Sequence, residues 1–165
     1  MVQRIRHPWA LPQPWVHASR NAVAAIASLE LARAFHLPEA YWACITTFVV
    51  LQAKLAPTFT VSWQRLAGTA LGAVMGALLG TCFGPRLLVF GAGVFVIGLI
   101  CSLLRLDASY RFANITLAIV MLVVHGESPS FIAIHRFLEV SIGIAVALAV
   151  TAIWREAEPV NPAKP

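Results

Sequence analysis

The chain is 165 residues long, 59% apolar and only 12% charged, with a formal net charge of +5. Soluble domains run at roughly 45–50% apolar and about 25% charged, so the composition excludes an ordinary soluble domain and leaves room for one membrane domain with short tails. The positive charge does not indicate nucleic acid. Lys and Arg stand singly at the ends of apolar stretches, and no basic cluster interleaves with aromatics.

Residues 1–17 hold three prolines and no apolar core, so they read as a cytoplasmic tail, not a signal peptide. Trp9 and Trp15 are its interfacial anchors. A membrane span needs about 17–25 mostly apolar residues. The first is expected at 18–35, where Glu30 and Arg33, three apart, can pair on one face. Pro38 opens a second at 38–53. The third, 62–83, ends at Gly84-Pro85 and carries Gly68, Gly72, Gly76, Gly80 and Gly84 at strict four-residue spacing. In water each interior Gly costs about 1 kcal/mol against Ala. In lipid such a stripe lets another helix approach closely, so these five, with Gly143, are the expected helix-packing residues. The fourth span is 85–104, the fifth 110–125 and the sixth 131–154. A polar, Pro-rich segment at 155–165 is expected to be disordered.

The expected fold is therefore all-α: an integral membrane domain over 18–154 with six transmembrane helices. Arg4, Arg6, Arg20, Lys54, Arg65, Arg105, Arg111, Arg155 and Lys164 fall on the side of the termini, and only Arg33, Arg86 and Arg136 on the other. The positive-inside rule then makes both termini cytoplasmic.

The two halves resemble each other. Ile45-Thr46-Thr47-Phe48-Val49-Val50 aligns with Ile115-Thr116-Leu117-Ala118-Ile119-Val120 at an offset of 70, and Arg65-Leu66 and Gly72 align with Arg136-Phe137 and Gly143 at 71. Three spans per unit would insert the second unit upside down, an inverted 3+3 repeat of the kind found in secondary transporters. The matched second and fifth spans are the shortest and carry polar residues: Thr46, Thr47 and Gln52 in one, Asn114 and Thr116 in the other. Such a pair points to a transport site. The competing reading is a Thr hydroxyl bonded back to its own helix.

Tyr41-Trp42-Ala43, then Val49-Val50-Leu51-Gln52, then Gln64-Arg65-Leu66-Ala67-Gly68-Thr69-Ala70-Leu71-Gly72, and later Arg136-Phe137-Leu138-Glu139 with Gly143, resemble the fusaric acid resistance and aromatic acid exporter family. The likeness runs over about 18–154. It implies a six-helix domain of the bacterial inner membrane that exports aromatic carboxylic acids or related toxic compounds. Two departures stand out: Ala53 follows Gln52 where the family often has Pro, and larger members carry a sizeable soluble region. A homodimer would restore two membrane domains, and an efflux-complex partner protein is the other expected associate.

Arg65 and Arg136 are the candidate cations for an organic anion, because the planar guanidinium matches a carboxylate. Thr46, Thr116, Gln52, Asn114 and Trp42 complete the expected substrate-binding set; the plainer role for both arginines is snorkelling to headgroups. Glu139, three residues after Arg136 and four after His135, forms with His135 a candidate proton-coupling pair. Cys44, Cys82 and Cys101 lack metal or redox spacing, and no metal or cofactor is expected. No phosphate-binding loop or hydrolytic motif is present, so the chain is not read as an enzyme. Besides an exporter, two alternatives stand: a dimeric organic-anion channel, and a non-transporting membrane subunit of a larger efflux complex.

Overall fold

The computed structural model describes residues 13–51, 55–106, 108–123 and 126–154. The elements formed by these residues are all helical: α1 (Gln13–Ala34), α2 (Tyr41–Leu51), α3 (Leu55–Phe83), α4 (Leu87–Leu103), α5 (Tyr110–Ala118) with a π-helical turn at Ile119–Val123, and α6 (Pro129–Ile153). The six expected segments appear as six helices with shifted ends. α1 begins at Gln13, inside the expected tail. α3 begins at Leu55, with Pro57 in its first turn, where a missing N–H removes no intrahelical bond. Trp9, Gln52 and the 155–165 segment lie outside the described residues.

Two helices are long and apolar enough to cross a membrane, Thr58–Phe83 and Pro129–Ile153. Tyr41–Leu51, Leu87–Leu103 and Tyr110–Val123 are apolar but shorter. At about 1.5 Å per residue, α2 alone reaches roughly half of a ~30 Å hydrocarbon core. α1 has the length but carries Arg20, Asn21, Glu30 and Arg33. Glu30 and Arg33 do pair, at 2.8 Å, on the exposed face of α1.

Matching turns recur along the chain. α1 closes with Leu37 N–H on Ala32 O and His36 N–H on Arg33 O, and α4 closes with Leu106 N–H on Cys101 O and Arg105 N–H on Ser102 O. Each is a Schellman cap, and each puts a non-Gly residue at φ 55°, His36 in one and Arg105 in the other.

α3 and α6 pack against each other. α6 also backs onto α1 and α2, and α3 onto α4 and α5. One apolar core joins Ala24, Val50 and Leu51 to Val140, Ile144 and Ala147. A second joins Ile97 and Cys101 to Ala113, Leu117 and Met121, with Leu71 and Met75 against it. A separate core joins Ala73 and Val120 to Ile132 and Ala133. So α3 packs on the two helices that follow it, and α6 on the first two helices of the chain. On the outside, Leu87, Leu88, Phe95 and Leu103 of α4 are 73–87% exposed, an apolar face suited to lipid tails.

The glycine stripe is the α3–α5 seam. A Cβ at Gly68 would strike the Ser109 carbonyl and lie 2.9 Å from Phe112 Cβ; at Gly72 it would strike the Ala113 carbonyl and lie 2.9 Å from Thr116 Cβ. Gly76 faces Val120, and Gly80 faces Pro129 at the start of α6. Gly143 makes the matching approach on α6, against the Ala43 carbonyl and Thr46 Cβ. Gly84 does not belong with them. It lies past the end of α3 at φ +73° with open space where a Cβ would be, so it is a turn residue, and its fit to the four-residue spacing does not reflect packing.

Candidate functional site

Two buried arginines organise the polar interior. Arg65, on the face of α3 that also buries Thr58, Ser62 and Thr69, is 7% exposed. Its Nε and Nη2 donate to Thr46 Oγ1 of α2 at 3.3 and 3.0 Å. Its guanidinium lies 5.0 Å from the centroid of the buried Phe112 ring on α5. Exposed Arg111 reaches the same ring at 4.7 Å. Among the described residues no carboxylate pairs with Arg65. The site therefore holds a desolvated cation whose partners are a neutral hydroxyl and an aromatic face, with a second cation beside it.

Arg136 of α6 is the opposite case. It is 3% exposed, and its guanidinium lies 4.4 Å from the Trp42 ring of α2. Its Nη1 donates to Glu139 Oε2 at 3.2 Å, and its Nη2 contacts the carboxylate of Glu39. Glu39, just before α2, also donates its backbone N–H to Glu139 Oε1 at 3.1 Å. One guanidinium thus faces two carboxylates, one of them only 1% exposed. Breaking such a buried cluster by deleting one partner typically costs about 3–5 kcal/mol.

Thr46 is wholly buried and serves as acceptor for Arg65. Thr47 Oγ1 donates to Ala43 O and Gly143 O at 3.0 and 3.1 Å, stitching α2 to α6. Thr116 Oγ1 donates back to Phe112 O at 3.0 Å. Asn114 is half-buried, and its Oδ1 has no hydrogen-bond partner among the described residues; neither has Trp42 Nε1. His135 is not brought to Glu139. Its ring lies 3.9 Å from that of Phe131, and Nδ1 sits 2.8 Å from Phe131 O. Glu39, Phe112 and Arg111 are site residues that the sequence did not single out. Phe112 had a signal, standing 70 residues after Trp42; Glu39 had none, because its partner lies 100 residues away.

The fusaric acid resistance protein-like family matches this chain over residues 23–150, a stretch that includes both arginine sites and every packing glycine. The inner membrane protein YeeA of Escherichia coli strain K12 is 28% identical over 148 residues, covering 84% of this chain and 40% of YeeA. The chain thus spans about 40% of the length of that curated relative. No solved structure matches it.

Proposed function

The chain belongs to the fusaric acid resistance protein-like family of membrane proteins, and from that premise we propose that it is a secondary transporter of the inner membrane, exporting aromatic carboxylates or related organic anions. The observation that carries this reading is Arg65, buried and charged with no carboxylate against it among the described residues. A carboxylate leaving water needs a cation to replace its hydration, and a guanidinium supplies two parallel N–H donors. The Phe112 ring beneath it suits an aromatic body. The named character of YeeA, an inner membrane protein, supports the location.

The Arg136–Glu139–Glu39 cluster carries one negative charge more than its cation balances when both carboxylates are ionised. A proton there cancels that charge, and we assign coupling to this cluster. The architecture we propose is an inverted repeat of α1–α3 and α4–α6, working as a homodimer with both termini cytoplasmic. Four pairs of contacts support the repeat: the two Schellman caps, Gly72 on Thr116 with Gly143 on Thr46, Arg65 on Phe112 with Arg136 on Trp42, and the carbonyls of Ala113 and Ala43 against their glycines.

The test is uptake of radiolabelled benzoate into liposomes holding the purified protein, under an imposed membrane potential. Saturable uptake without unitary current steps is expected. Current steps would make it a channel, and no uptake by intact protein across a panel of aromatic acids would overturn the reading.

A further inference from the structure

The two arginine sites share one register and differ in what fills it. Three residues after Arg136 stands Glu139; three residues after Arg65 stands Gly68. Three residues before Trp42, the ring under Arg136, stands Glu39; three residues before Phe112, the ring under Arg65, stands Ser109. Where one site has two protein carboxylates, the other has a hydrogen atom and a hydroxymethyl group.

These two truncations are not equivalent. At Gly68 the space is already taken, since the Ser109 carbonyl and Phe112 Cβ close onto it. At the register position from which Glu39 extends a carboxylate onto Arg136, Ser109 has a short side chain. Ser109 is 1% exposed, and its Oγ has no hydrogen-bond partner among the described residues. Its backbone is already helical at φ −80° and ψ −21°, and its side chain makes no cap bond, so capping does not account for the hydroxyl. A buried hydroxyl left without a partner is destabilising and invites an explanation.

We propose that Ser109 Oγ is a ligand donor: the carboxylate of the transported anion sits on Arg65 in the position that Glu39 fills on Arg136, and accepts the Ser109 hydroxyl as well. Glu39 is then a built-in occupant of the second site, and Ser109 marks the first as the site kept open for an exogenous carboxylate. Exposed Arg111, which reaches the same Phe112 ring, supplies attraction at the approach. This rests on the transport reading above and adds the residue that positions the anion.

The test is equilibrium binding of radiolabelled benzoate to the purified full chain in detergent, with neutral benzamide as competitor and gel filtration to check folding. Ser109→Ala is expected to weaken benzoate about tenfold, and Arg65→Ala to abolish binding. Ser109→Glu, which supplies an internal carboxylate, is expected to abolish binding too, and benzamide not to compete. Wild-type affinity in Ser109→Ala, with binding lost in Arg65→Ala, would reject this site and leave the transport reading standing. Wild-type affinity in Ser109→Glu would reject it equally. No benzoate binding by the wild type would remove both.

Discussion

Thr46 Oγ1 accepts two hydrogen bonds from the single guanidinium of Arg65, at 3.3 and 3.0 Å, across the α2–α3 contact. A neutral hydroxyl is thus the polar anchor of a buried cation. Hydrogen bonds to charged groups contribute about 1.5–3 kcal/mol. Thr46→Val keeps the shape and deletes the acceptor, so it should lower stability by about 2 kcal/mol, and Thr46→Ser should retain most of it. Thermal unfolding of the detergent-solubilised variants checks this. Equal melting temperatures for Thr46→Val and wild type would show that the two bonds hold nothing.

The glycines predict an ordered series. Gly72→Ala and Gly143→Ala drive a Cβ into a carbonyl and a threonine on the facing helix, and overpacking of that kind costs about 1–3 kcal/mol. Gly84→Ala meets no neighbour but must hold φ +73°, at a cost of about 1–2 kcal/mol. Gly91 lies in α4 with open space around it, so Gly91→Ala should match or exceed wild-type stability, through helix propensity. Melting temperatures of the four single variants test the order. A Gly72→Ala protein as stable as Gly91→Ala would contradict the close α3–α5 seam.

At the other arginine, charge arithmetic ranks the variants. Glu139→Gln leaves Arg136 facing Glu39. Arg136→Leu leaves two carboxylates together with no cation, and should be the more damaging by several kcal/mol. Flux through Glu139→Gln should lose its dependence on an imposed pH gradient. His135→Asn should keep that dependence, because His135 engages Phe131. Benzoate uptake with and without a pH gradient reads both, and an unchanged gradient response in Glu139→Gln would remove the cluster from coupling.

The sequence disclosed what depends on local pattern and hid what depends on long-range closure. Helices and their stops followed from apolar runs and from Gly84-Pro85. The α3 packing face followed from the glycine spacing at four positions of five. The fifth, Gly84, fits the same arithmetic but stands beyond the helix, and spacing alone does not distinguish a seam from a turn. Arg65 and Arg136 were visible as isolated charges in apolar helices. Their different surroundings were not, because Glu39 reaches Arg136 and Glu139 from about a hundred residues away. The pairing of His135 with Glu139 was expected from i,i+4 spacing. A helical side chain leans toward its own N-terminus, and His135 accordingly covers Phe131, one turn earlier. The π-helical turn at Ile119–Val123 has no Pro or Gly to announce it.

The central claim is that an organic anion crosses the membrane on the Arg65 cation. The most direct measurement is initial-rate benzoate uptake into liposomes holding equal amounts of wild type, Arg65→Ala or Arg65→Lys. Arg65→Ala should fall to the rate of empty liposomes, and Arg65→Lys, which keeps the charge but loses the paired donors, should retain a small fraction of the wild-type rate. Wild-type uptake by Arg65→Ala would contradict the account.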